Sequence, residues 1–234
     1  MAFLYETHLH TLPVSRCGHY SVRENLEFYK SLGYEGVFIT NHFIDSQRDK
    51  RRLPTYEETI EYFFSDYENG VKIGSEIGLK VYFALETTRG GTDFLVYGLD
   101  KAWFLAHPEI EEMKKREQLE FYMANGALVI QAHPFREADY IDHIRLYPRS
   151  VHGVEILNGC RTDFENRLAE QYATNYALLP FAGSDNHKGP DQKKLAGISF
   201  ETPIENELDF VQRILNGEGK IFSTSNPILE TTNK

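Results

Sequence analysis

MAFLYETHLHT, residues 1–11, is a short apolar run that ends in two histidines two positions apart, His8 and His10. Alternate side chains of a β-strand point to one face, so a strand here projects both imidazoles together. The same pattern recurs along the chain. GVFITNH (36–42), KVYFALE (80–86), ALVIQAHP (127–134), HGVEILNG (152–159) and ALLPFAGSDNH (177–187) are all strand-like runs closing in polar residues. Helical segments lie between them. Ser21 with Glu24 and Thr55 with Glu58 have capping-box spacing, and Leu26, Tyr29 and Leu32 recur at helical spacing before a stop at Gly33. The second capping box predicts a long helix to about Gly74, and 109–126 predicts another. FLVYGL (94–99) is a strand expected to follow a Gly90-Gly91 turn; ISFETPI and the helix FVQRILNG precede a tail, ILETTNK. Strand–helix alternation predicts parallel strands wrapped by helices, and in an α/β barrel the polar strand ends meet in one pocket.

Composition bounds what such a pocket serves. With 234 residues, 41 % apolar and 26 % charged, the chain is long enough for one core, and a single domain over 1–234 is expected. The net charge of −10 argues against extended binding to nucleic acid, which needs a basic face. A small phosphorylated substrate remains compatible, because bound cations make one pocket locally positive. No run reaches the ~18 apolar residues of a membrane span. The N-terminus lacks the basic flank of a signal peptide. Cys17 and Cys160 are the only cysteines, too few for a disulfide framework, so a cytoplasmic protein is expected.

Asp185 and His187 share a strand face as His8 and His10 do, and a barrel closes its first strand near its last. His42, Glu86 and His133 each end a separate strand. Imidazole and carboxylate suit Zn²⁺, Mn²⁺ or Fe²⁺, and carboxylates can bridge two ions. On HLH (8–10), TNH (40–42), ALE (84–86), AHPFR (132–136), VEILNG (154–159) and GSDNH (183–187), the chain resembles the PHP (polymerase and histidinol phosphatase) family of metal-dependent phosphoesterases over roughly residues 3–200. The resemblance implies a distorted seven-stranded (β/α)7 barrel with two or three divalent metal ions, Mn, Fe or Zn, at the mouth. Position by position, it implies a first ion on His8, His10, Glu86 and Asp185. Glu86 would bridge to a second ion shared with His133 and Asp93, and His42 and His187 would hold a third. The third set would be completed by Cys17 or His19, with Cys17 nearer the usual position. Many relatives have His where this chain has Asp93, a hard ligand favouring Mn²⁺ or Fe²⁺ over Zn²⁺; a Cys17 thiolate favours softer ions.

The activity implied is hydrolysis of a small phosphate ester, a phosphomonoester or a nucleotide or oligonucleotide end. A metal-bound hydroxide would attack, with Glu86, Asp185 and His187 serving catalysis. Arg136 and Arg161 follow strand ends and could make bidentate phosphate contacts, Arg16 being a weaker candidate. Two other classes compete. Amidohydrolase-like enzymes also begin with HxH and end with Asp, but usually carry a Lys on a middle strand, and no comparable Lys is found. A non-catalytic PHP-type module would tend to lose ligands. Among the rest, His107, His143 and His152 read as surface or structural, Cys160 as a small buried residue, and Glu155 as either a carboxylate orienting a ligand imidazole or half of an ion pair. EYFFSDY (61–67) reads as a helix face packed on the barrel, and EEMKKREQLE (111–120) as an exposed helix face.

Overall fold

A computed structural model describes residues 2–43, 53–89 and 91–232; Gly90, half of the expected turn, and Asn233-Lys234 lie outside the described residues. The apolar runs form strands β1 (Phe3–Leu9), β2 (Gly36–Ile39), β3 (Lys80–Arg89), β4 (Thr92–Tyr97), β5 (Leu128–Ala132), β6 (Gly153–Asn158) and β7 (Leu179–Gly183). Two more follow, β8 (Lys194–Phe200) and β9 (Lys220–Ser225). They make one sheet in the order β7-β6-β5-β4-β3-β2-β1-β8-β9. The expected count of seven is therefore corrected to nine among the described residues. Nor are the strands all parallel. β4 runs antiparallel to both β3 and β5, and β8 and β9 form an antiparallel extension beyond β1. The sheet curls until it nearly closes. The free half of β1's edge meets the chain after β7, where His10 N–H donates to the Asn186 carbonyl and Asn186 N–H to that of His8, both at 3.0 Å.

The helices are α1 (Val22–Ser31), α2 (Tyr56–Ile77), α3 (Lys101–Ala106), α4 (Lys115–Ala124), α5 (Asp163–Tyr176), α6 (Glu207–Leu215) and α7 (Pro227–Thr232). Both expected capping boxes are formed, and Thr162 with Glu165 makes a third at the start of α5. α2 runs past Gly74 to Gly78, which ends it in the left-handed conformation (φ 73°). Gly74 serves close approach instead, since a Cβ there would lie 2.5 Å from the Leu79 carbonyl oxygen. The expected helix 109–126 is broken into a 3-10 turn, Pro108–Glu111, and α4. The Gln118 amide bonds the Ile110 carbonyl across the break at 2.9 Å. The expected tail forms α7 as far as Thr232. Among the described residues no helix is long and apolar enough to cross a membrane.

Alternation divides the core. Phe38, Tyr82, Ala84, Leu95, Tyr97 and Phe181 face inward, and α6 packs beneath them with Phe210, Val211 and Ile214. Val37, Ile39 and Leu9 face outward against α1, while Phe83, Leu85, Phe94, Val96 and Val129 face α2 to α4. One end of the barrel is thus filled with aromatic rings. The polar strand ends collect at the other.

Candidate metal centre

β1 reaches the centre through an irregularity. Leu4 packs on the α1 side and Tyr5 packs inside, so strict alternation would send His8 and His10 outward with Leu4. A shift of register between Glu6 and Leu9 reverses the faces: Leu9 packs against α1, and the two imidazoles turn in. Such a bulge frees backbone donors, and Glu6 satisfies them. Its Oε1 accepts from the N–H groups of Thr7 (3.0 Å), His8 (2.8 Å) and Ser184 (3.0 Å), while Oε2 accepts from the Tyr29 hydroxyl (2.8 Å). Burial raises the Glu6 carboxyl to about 7 against these hydrogen bonds. Nothing in the local pattern singled out Glu6. Its only signal is a carboxylate in the middle of an apolar strand.

The chain fits tightly around His8. A Cβ at Gly183 would lie 2.4 Å from His8 Cβ, so only glycine lets β7 pass. His8 Nδ1 is hydrogen-bonded to Glu155 Oε1 at 2.9 Å, which leaves Nε2 facing inward, 3.5 Å from both Glu86 Oε1 and Asp185 Oδ1. Glu155 also accepts from the His133 N–H (3.0 Å) and from the Asn158 amide (2.8 Å). The contact has the geometry of both sequence readings: Glu155 orients a ring that faces the cluster, and with a protonated His8 the two make a buried ion pair. His10 Nε2 lies 3.4 Å from Glu86 Oε2 and 3.5 Å from Asp185 Oδ1. His42 Nδ1 is 3.0 Å from Glu86 Oε2, and His133 Nε2 is 3.2 Å from Glu86 Oε1. His187 Nδ1 is 3.2 Å from Asp185 Oδ1. Two of these residues have unusual backbones: His133 (φ 24°) and Asp185 (φ 53°) occupy the positive-φ region. Such conformations cost on the order of 1–3 kcal/mol and collect at functional sites.

Among the described residues, three overlapping groups could each hold an ion: His8, His10 and Asp185; His8, Glu86 and His133; and His10, Cys17, His42 and His187. The fit to metal rests on orphaned atoms. His8 Nε2 and His10 Nε2 are buried and have no hydrogen-bond partner among the described residues. Without an ion the donors hold one another by charge. Burial opposes charge on all of them, yet Glu155, Asp185 and Glu86 carry His8 well above its ordinary range. His42 and His8 hold Glu86 well below the usual carboxylate range, and His8 and His10 do the same for Asp185. Burial would raise the Cys17 thiol, but His10, His187 and His42 bring it down to about 3.

The remaining expected residues are arranged as follows. Cys17 joins the cluster, whereas His19 and Arg16 are exposed; the His19 backbone N–H donates to the His187 carbonyl at 2.8 Å. Asp93 is buried beside the cluster but in none of the three groups, with Oδ2 3.9 Å from His133 Nε2. Because β4 runs antiparallel, its start rather than its end reaches the mouth. Arg136 Nη2 pairs with Asp93 Oδ2 at 2.9 Å, and the Arg136 and Arg161 Nε atoms are buried without a hydrogen-bond partner among the described residues. Cys160 is half-buried, with its thiol on the Asp185 carbonyl at 3.1 Å.

The sequence matches no family model and no curated protein. Solved structures do match. One is a two-domain protein from Bacteroides vulgatus containing a predicted PHP-like metal-dependent phosphoesterase, with TM-score 0.64, 14 % identity, and 95 % of this chain and 65 % of that one covered. This chain therefore spans slightly less than two thirds of that protein's length. A second, predicted to be a metal-dependent phosphoesterase, comes from Bifidobacterium adolescentis, with TM-score 0.54, 14 % identity, and 79 % and 88 % of the two chains covered. A third is an amidohydrolase from Chromobacterium violaceum with bound sulfate, with TM-score 0.57, 12 % identity, and 92 % and 97 % covered. The fold is thus the mixed α/β, nearly closed barrel shared by PHP-like phosphoesterases and an amidohydrolase.

Proposed function

We propose that the chain is a metal-dependent phosphoesterase acting on a small phosphate ester, either a phosphomonoester or a nucleotide or oligonucleotide end. One observation carries this reading: five imidazoles converge on buried Glu86 and Asp185, with the Nε2 atoms of His8 and His10 left unpartnered. His8, His10, Glu86 and Asp185 would hold one ion, Glu86 with His133 beside Asp93 a second, and His42, His187 and Cys17 a third. Bound there, divalent cations supply Lewis acidity and lower the pKa of water towards ~7.

The protein's own contribution is orientation and charge. Glu155 fixes the His8 ring so that Nε2 keeps its lone pair for the interior. Arg136, anchored on Asp93 at 2.9 Å, keeps an Nε–H without a partner, and Arg161 keeps another. Both donors suit phosphate oxygens. The amidohydrolase neighbour supports a second reading, hydrolysis of a C–N bond.

The test is a hydrolysis screen with added Mn²⁺ on an aryl phosphate, metabolite phosphates, mono- and dinucleotides and simple amides. His8→Ala and Asp185→Ala are expected to lower kcat/KM by more than ~100-fold, exceeding the loss of an outer partner, with an unchanged circular dichroism spectrum. Unchanged rates in both variants would move the chemistry elsewhere. Turnover of amides alone would select the second reading, and no turnover by the metal-loaded chain would make it a binding module.

A further inference from the structure

We propose that this centre is chemically divided: Cys17, with His42 and His187, holds a thiophilic ion such as zinc or cobalt(II), while the carboxylate-containing half takes a harder ion such as manganese. The proposal rests on the metal reading above and adds selectivity to it. Among the described residues Cys17, His42 and His187 occur together in one group, their ligand atoms within 4.8 Å of one another and of a His10 nitrogen. The other two groups contain no sulfur; each is built from imidazoles and a carboxylate, Asp185 or Glu86. Thiolate selects soft or borderline ions, whereas carboxylate oxygens suit Mn²⁺ and Mg²⁺. Zinc is content with three or four N and S ligands in a tetrahedron, the donor types offered on this side.

The cysteine side has a fixed frame. The loop that carries Cys17 is tied down by buried Asp66, whose Oδ2 accepts from the Thr11 hydroxyl (2.8 Å), the Val14 N–H (3.1 Å) and the Asn41 amide (3.0 Å). Ser15 Oγ accepts from the His42 N–H at 2.8 Å, joining that loop to the end of β2. His187 Nδ1 lies 2.9 Å from the Asp185 carbonyl oxygen, which is the outer contact that leaves Nε2 as a ligand. His10 is the hinge between the two halves. It belongs to both a sulfur-containing and a carboxylate-containing group, and its Nε2 has no hydrogen-bond partner among the described residues.

The experiment adds cobalt(II), then manganese(II), to the metal-free full chain. Cobalt is expected to give a thiolate-to-cobalt charge-transfer band in the near ultraviolet that saturates at one ion per chain. Cys17→Ser is expected to lose the band, and Cys160→Ser to keep it. Manganese binding, followed by electron paramagnetic resonance of the free ion, is expected to persist in Cys17→Ser within about twofold. Cobalt binding without the band in the native chain, or a band that survives Cys17→Ser, overturns the division and leaves the metal reading standing. Failure to bind either ion overturns both.

Discussion

Glu155 spends one carboxylate on two candidate ligands, since Oε1 holds the His8 ring and Oε2 the His133 backbone. Outer carboxylates of this kind fix the tautomer and raise the basicity of the imidazole. Glu155→Gln, which keeps the shape and loses the charge, is expected to weaken metal affinity by about 10–100-fold in a calorimetric titration; unchanged affinity would show that the ring is held by packing alone. His152 illustrates the opposite role. Its Nδ1 accepts the Val129 N–H at 3.1 Å, so protonation would break the bond that ties β5 to the start of β6. Burial lowers its pKa from 6.5, so the stability it contributes is present above about 6.5 and is lost as pH falls through the lower folded value. Proton resonance of this imidazole is expected to titrate below 6.5; a midpoint at or above that value would contradict the buried acceptor. At this scale His8, His10, His42, Glu86, His133, Asp185 and His187 were legible because each stands at the polar end of an apolar run, whereas Cys17, in a loop, and Asp93, at the start of β4, were suggested only by the family resemblance. Glu6 was not, because its role depends on the register of β1 against β2 and on the Ser184 N–H, 178 residues away in sequence.

Among the elements, what could be read was what rests on local signals. Capping boxes are local, satisfying a helix's first N–H groups with side chains three residues apart, and the two expected ones were formed. The reversal of β4 depends on which strands it pairs with, and β9 is an edge strand with mostly exposed side chains and little apolar alternation. The helix FVQRILNG was also legible, but its place was not. α6 lies under the barrel, where Phe210 packs against Phe38 (4.4 Å between ring centroids) and Tyr97 (5.3 Å), with Phe181 and Phe200 at 6.3 and 6.0 Å. Removing a buried ring of this kind deletes its transfer energy and leaves a cavity. Phe210→Ala is expected to cost about 3–5 kcal/mol in urea unfolding; a loss below about 1 kcal/mol would mean that α6 is not part of the barrel core.

On the scale of the whole molecule, the two ends of the barrel are built on different chemistry. The closed end is filled by apolar and aromatic side chains, while the mouth buries imidazoles and carboxylates at a desolvation cost that mutual pairing only offsets. A chain with a net charge of −10 gains from placing cations there, since they relieve the buried carboxylates and the orphaned imidazole nitrogens together. Elemental analysis of the full chain purified without chelators tests this most directly. About two or three equivalents of Mn, Fe or Zn per chain are expected, as multinuclear hydrolytic sites require. A folded chain containing no transition metal, and taking up none when it is supplied, would contradict the metal centre.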